Sequence, residues 1–414
     1  MTADGAHMHE GRIRDSLTRM RKWSTTSIAP LAMACSTAVQ PGDVSLCTAA
    51  YDSAERVANL PDGLFLIYAM SHRSSHASVV SGTPRAAGLR SQHRSIAFLS
   101  LNPFSAVNAP EGTLIAAPRA FAGNDGVHVL WGVPAEDSID PASPPRQVEG
   151  IRHSAYSDGA WTGSSTVLAE KADWGWPQTV SSHGNQWAIA VPLPERFGAV
   201  ELIYSDGSGV RSATLDLPGL RPLATSTVSM SDGTVVIGVA VGPADEEGRL
   251  AVYLSRFSIA EASFSAPERI PGVLLRGFAF FKILGTQPDR LHVLWVEFAG
   301  GMKDKVHRAD LSEGSWRRLP AFEVNGQIVG PVQAAADACN KIHLAFSIGI
   351  RYPRVLAGTW NGGRAGMVDV TTGDASSNPF FVSDGRNMAI YWFAFEEKNR
   401  EYESSLWRAP AVRY

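Results

Sequence analysis

Asp125-Gly126-Val127-His128-Val129-Leu130-Trp131 reads as a turn followed by a strand. Asp-Gly supplies the positive-φ residues of a tight hairpin turn, and Val127, Val129 and Trp131 alternate with His128 and Leu130 as in a half-buried strand. The phrase returns as Asp289-Arg290-Leu291-His292-Val293-Leu294-Trp295 and as Cys339-Asn340-Lys341-Ile342-His343-Leu344-Ala345-Phe346. Looser copies begin at Asp62-Gly63, Gly184-Asn185, Asp232-Gly233 and Asp384-Gly385. Seven such cues imply one supersecondary unit used seven times.

Around Asp125 the unit resolves into four strands: Ile115 to Gly123, Val127 to Trp131, Ile151 to Tyr156, and Thr166 to Glu170 after the turn Ser157-Asp158-Gly159-Ala160-Trp161. Comparable third-strand endings are Tyr204-Ser205-Asp206-Gly207, Ser312-Glu313-Gly314-Ser315-Trp316 and Trp360-Asn361-Gly362-Gly363. Four antiparallel strands repeated about an axis predict an all-β fold, a seven-bladed β-propeller, with six blades the alternative if the first unit is irregular. The last unit ends on its third strand, Ser404 to Arg408. Its fourth is therefore expected from the N-terminal region, within Ile28 to Ala49, closing the ring between the chain ends. Residues 28–414 form one domain on this reading. Residues 1–27, with Arg12, Arg14, Arg19, Arg21 and Lys22, form a basic arm or a weak targeting segment.

Composition agrees with a globular chain. Of 414 residues, 44% are hydrophobic and 19% charged, while 38 glycines and 25 prolines suit many short strands and turns. A formal net charge of -3 gives no nucleic-acid footprint, and no apolar run is long enough to span a membrane. Cys35, Cys47 and Cys339 cannot build a disulfide framework. A cytoplasmic location is the first expectation, export the alternative, and oligomeric state is left open.

The strand-two phrase with its "YSDGAW" and "LSEGSW" endings resembles the blades of sialidase-like, or BNR-type, propellers over residues 55–414. The resemblance implies the propeller fold and a family group of glycoside hydrolases, polysaccharide lyases and sugar-binding lectins. The chain departs from the sialidase pattern in two respects. Ser157-Asp158-Gly159-Ala160-Trp161 is too compact for an Asp-box, and no Phe/Tyr-Arg-Ile-Pro segment occurs. Sialidase activity itself is therefore not expected.

Topology sorts the loops. The turns from strand one to two and three to four share one face and are short and Asp-Gly-rich. The loops from two to three, and from four to the next blade, share the other face and vary in length; Ser71–Arg94 and Val133–Gly150 are long. Variable loops on a rigid scaffold carry function, so the ligand site is expected on this second face, over the channel mouth.

Arg221 and Arg276, before successive first strands, can clamp a carboxylate or phosphate, joined by Arg351 and by Asn378 at the last unit. Trp174 and Trp176 can stack on a sugar, or one or both can be core. His72, His76 and His93, expected in or beside the first long loop, are candidate proton carriers, with Tyr352 beside Arg351 as helper or nucleophile. His128, His292 and His343 recur at one strand position and read as part of the repeat. Glu136, Asp137, Asp140, Glu195, Asp245, Glu246 and Glu247 offer acid–base pairs for glycoside hydrolysis.

No phosphate-binding glycine loop, Gly-x-Ser-x-Gly elbow or zinc spacing occurs, so no cofactor and no metal is expected. Three functions stand: a single-site enzyme acting on an anionic glycan or another small acidic ligand, a lectin-like module without chemistry, and a protein-interaction propeller.

Overall fold

The cue at Asp232-Gly233 turns between two strands, Pro222–Ser229 and Thr234–Val241, with Gly233 at a positive φ of 81°. In the computed structural model this arrangement recurs along the chain. The structure describes residues 48–49, 51, 54–56, 64–71, 75–81, 88–90, 94–101, 104–107, 116–123, 126–133, 147–157, 160–163, 165–174, 180–183, 186–230, 232–243, 248–276, 280–287, 289–298, 303–337, 341–349, 352–361, 364–383, 388–398 and 401–413.

The described residues include no helix; their strands form antiparallel sheets of four or five strands and one two-stranded pair, Gln147–Val148 with Ala172–Asp173. The second sheet orders Ala116–Gly123, Gly126–Val133 and Gly150–Ser157, with Ala160–Trp161 and Ser165–Leu168 both on the outer side. The third runs Ser181–His183, Gln186–Pro192, Ala199–Ser205, Val210–Asp216. The fourth runs Pro222–Ser229, Thr234–Val241, Leu250–Ser258, then Ser263–Phe264 and Glu268–Leu275. The fifth runs Phe281–Gln287, Arg290–Glu297, Lys305–Ser312, then Ser315–Arg318 and Phe322–Glu323. The sixth runs Ile328–Ala336, Ile342–Ile348, Arg354–Asn361, Arg364–Asp369. The seventh runs Ala375–Ser383, Met388–Lys398, Glu401–Arg413.

The outer positions of the seventh sheet are filled from an early part of the chain; of the expected span 28–49 only Thr48 and Ala49 are among the described residues, and Glu55–Arg56 lies beyond it. Thr48 and Ala49 pair with Arg413 and Val412, and Glu55 and Arg56 pair with Arg408 and Trp407. A buried relay fastens this segment to the sixth sheet. His343 Nε2–H donates to Asp337 at 2.9 Å, leaving Nδ1 to accept from the Tyr51 hydroxyl at 2.5 Å.

The first sheet corrects the expected strand order. Because residues 55–56 are committed to the last sheet, the chain enters at the second-strand position, Leu64–Ser71. The first-strand position is then filled by Ser75–Ser81, and Arg94–Leu101 lies third, flanked by Gly88–Arg90 and Phe104–Val107. The span from Ser71 to Arg94, read as a long loop, thus carries two strands.

A second correction concerns burial. Strand 126–133 is not half-buried: His128 and Leu130 are as covered as Val129 and Trp131. The reason is that sheets pack face to face, so each strand sends alternate residues into two different cores. Trp187 and Ile189 join Phe121, Leu130 and Trp174 between the second and third sheets, while Ala188 and Ala190 join Val235 and Ile237 between the third and fourth. Further cores join the fourth to fifth, fifth to sixth and sixth to seventh sheets.

The first strands also touch in succession: 75–81 meets 116–123, then 181–183, 222–229, 281–287, 328–336 and 375–383, and the last meets 75–81. Pro118, Pro222, Pro331 and Pro379 each sit at a register shift in such a strand. Proline cannot donate to a ladder, so it is tolerated at an edge or bulge, which is where these four lie.

Candidate ligand-binding face

Each sheet is antiparallel, and short connectors lead from the outer strand of one sheet to the first strand of the next. Loops from second to third strands and these connectors therefore emerge on a common face. Three of the four exposed large hydrophobic residues among the described residues are there: Phe197 at 72% exposure, Phe298 at 45% and Tyr352 at 54%. Each lies in a different second-to-third loop, of the third, fifth and sixth sheets. The fourth, Val368, is on the outer strand of the sixth sheet.

Arginines join them. Arg221 is exposed at the connector before Pro222, and has no ion-pair partner among the described residues. Arg276 occupies the equivalent connector one sheet on, with its side chain 61% exposed and 3.7 Å from the Glu297 carboxylate. That separation is long for a charge-assisted bond.

Glu297 is the residue that the sequence reading missed. It ends strand 290–297, directly before Phe298. Its second oxygen accepts from His307 Nε2–H at 2.9 Å, while His307 Nδ1 accepts from Arg318 at 3.2 Å. Both ring nitrogens are thus occupied, and the imidazole stacks on Trp295 at 5.0 Å with the planes 10° apart. Burial holds His307 below its ordinary 6.5 in spite of the bond to Glu297, which keeps the ring neutral near pH 7. His307 acts as a support that fixes a 30% exposed carboxylate beside Arg276 and Phe298. The signal available in the sequence was a lone carboxylate closing an apolar run, Leu-His-Val-Leu-Trp-Val-Glu, next to an aromatic residue.

The remaining sequence candidates fall as follows. Trp174 is a correction: it is fully buried, with the Arg119 guanidinium 5.2 Å from its ring, and a Cβ at Gly132 would come within 2.9 Å of it. It packs in the core between the second and third sheets and cannot stack on a ligand there. His76 is the second residue of strand 75–81, paired with Ala69, and so belongs to a first strand rather than a loop. Asn378 lies at the bulge between Ser377 and Phe380. His72, His93, Trp176 and Arg351 lie outside the described residues. Of the carboxylates, Glu195 pairs with Lys171 at 3.0 Å, and Glu136, Asp137, Asp140, Asp245, Glu246 and Glu247 lie outside the described residues.

The repeated histidines are structural, as expected from their recurrence. His292 Nδ1 contacts Asp310 at 2.9 Å, and Arg308 bonds Asp310 and the Trp360 carbonyl at 2.7 Å each, tying the fifth sheet to the sixth. His128 Nδ1 meets His153 Nε2 at 3.0 Å beside Trp187. The described residues hold no group of three or more metal-ligating side chains.

No protein-family model and no curated protein sequence matches this chain. Solved structures similar to this chain include sialidases, a neuraminidase-like protein, a lectin and a polysaccharide lyase, all of β-propeller type. A polysaccharide lyase, an ulvan lyase bound to -[GlcA(1-4)Rha3S]-, is similar at 9% identity and TM-score 0.48 over 94% of this chain and 97% of its own. The SapL1 lectin in complex with alpha methyl fucoside is similar at 12% identity and TM-score 0.43, over 73% of this chain and 97% of its own. A Trypanosoma rangeli sialidase, in complex with 2,3-difluorosialic acid, is similar at 13% identity and TM-score 0.42, over 72% of this chain. The match spans only 54% of that sialidase's length.

Proposed function

We propose that the sheets close into a seven-bladed propeller whose second-to-third-loop face binds an acidic saccharide. Closure is supported by the succession of first-strand contacts, which returns from 375–383 to 75–81. One observation carries the binding reading: exposed Arg221 and Arg276 and the exposed rings of Phe197, Phe298 and Tyr352 lie on loops and connectors of the same face, with the held carboxylate of Glu297 next to Arg276. A guanidinium pairs with a sugar carboxylate or sulfate, an aromatic ring covers the apolar face of a sugar, and a fixed carboxylate accepts from hydroxyls. These three groups occur together at Arg276, Phe298 and Glu297, with Arg221 one connector away. The ligands bound in the lyase, lectin and sialidase structures are saccharides as well.

A thermal-shift panel of neutral sugars, sialic and uronic acids and aromatic carboxylates tests this reading on wild type and on Arg221→Ala/Arg276→Ala, because a ligand of the folded state raises Tm. A shift with acidic sugars that the double variant loses supports it. Equal shifts in both proteins contradict it.

A second reading, turnover on the same face, is favoured by Glu297, a solvent-reaching carboxylate held in place by His307. Glu297→Gln then abolishes turnover of a bound acidic oligosaccharide while leaving its affinity within a fewfold. Unchanged turnover removes this reading.

A further inference from the structure

Lys282 is a buried cation that nothing above uses. It is the second residue of the first strand Phe281–Gln287 and only 8% exposed. Its neighbours Phe281 and Ile283 point into the core shared with the fourth sheet, while Leu284 points into the core shared with the sixth. Alternation therefore sends Lys282 toward the sixth sheet, where its Nζ donates to the Ala334 carbonyl at 2.9 Å.

An ammonium has three donors, and one carbonyl engages one of them. Among the described residues no carboxylate pairs with it. The seven first strands contain no aspartate or glutamate. Burial alone moves the titration of Lys282, down to about 8, with no acidic neighbour contributing. The adjoining strand 328–336 supplies a neutral polar residue there, buried Gln333 beside Ala334. A buried cation without a counter-charge costs several kcal/mol, and the missing partner has a defined chemistry.

We propose that a small anion, a halide or a small carboxylate or phosphate, binds against Lys282 at the junction of strands 281–287 and 328–336. It supplies the negative charge that the first strands lack. The site lies near the end at which the Arg276 connector enters, but uses different residues, and it stands or falls independently of saccharide binding.

The test is titration of sodium chloride, acetate and phosphate into wild type, Lys282→Met and Arg221→Ala/Arg276→Ala, followed by Tm, with chloride-35 NMR linewidths as a direct readout. In wild type the account expects a saturating rise in Tm and a broadened chloride line that acetate narrows by competition. Lys282→Met loses both, while the double arginine variant keeps both. Equal responses in wild type and Lys282→Met overturn the proposal, as does loss of the response in the arginine variant, which would move the anion to the exposed face. Should Lys282→Met not fold, Lys282→Gln takes its place, and an unbroadened chloride line with wild type overturns the proposal without any variant.

Discussion

Replacing Lys282 with methionine is expected to stabilise this protein. The ordinary lysine value is 10.5, and burial lowers it to about 8 in the fold. The unfolded chain thus holds this proton over a pH range in which the folded chain has released it. Stability rises with pH wherever the unfolded state binds more protons, so the cost of the buried charge is fully present below pH 8 and is relieved between about 8 and 10.5. Converting that difference gives about 3 kcal/mol, to which the lost bond to Ala334 subtracts about 1 kcal/mol. Lys282→Met should therefore be more stable than wild type by about 2 kcal/mol at pH 7 in low-salt buffer, with the gap closing toward pH 10. Urea denaturation of both proteins at pH 7 and pH 10 measures it, provided the m-values agree. A wild type that is the more stable at pH 7, or a gap independent of pH, refutes the reasoning that the ammonium is buried without a counter-charge.

Three other substitutions probe the frame. Tyr51→Phe removes the hydroxyl that meets His343 and the Gly358 carbonyl, and should cost about 1–2 kcal/mol in urea denaturation by leaving a buried acceptor unmatched. For Asp310, burial alone raises the carboxyl, but bonds from His292 and Arg308 outweigh it and hold it below its ordinary 3.8. Its contribution is present above that value and lost as pH falls through the lower folded one, so Asp310→Asn should be less stable at pH 7, with the gap narrowing below pH 4 in acid titrations followed by circular dichroism. Gly358→Ala would bring a Cβ within 1.9 Å of the Gly366 carbonyl oxygen, a backbone atom that cannot rotate away, and should lower stability by about 1–3 kcal/mol in thermal denaturation.

Much of the frame was legible because it is written in local chemistry. Asp-Gly and related turns mark the step from first to second strand, and the alternation after them marks strands that sort their side chains between two cores. The first strands were harder to read. Ser75–Ser81 and Ser181–His183 are rich in serine and histidine, because an inner edge strand needs little apolar surface, and by composition they look like loops. The permuted first sheet follows from a long-range event, the pairing of residues 55–56 with the last strand, which no local pattern announces.

The same division holds for the site. Arg221 and Arg276 stand out in the sequence by their place before successive first strands, and the structure puts both on connectors there. For Trp174 the sequence left core and ligand contact both open; the structure makes it core, beside Arg119 and Gly132, which are distant in sequence. Glu297 and His307 become neighbours only once the register between strands 290–297 and 305–312 is known; Trp295 opposes His307, and Glu297 opposes Lys305.

The measurement that tests the central claim most directly is hydrogen exchange with and without an acidic oligosaccharide from the thermal-shift panel. The account predicts slowed exchange in the loops and connectors around 193–198, 217–221, 276–280, 297–304 and 349–353, where Phe197, Arg221, Arg276, Phe298 and Tyr352 reside. Protection concentrated instead in the opposite turns, at 206–209, 231–233, 259–262 and 313–314, would contradict it by placing the ligand on the other face.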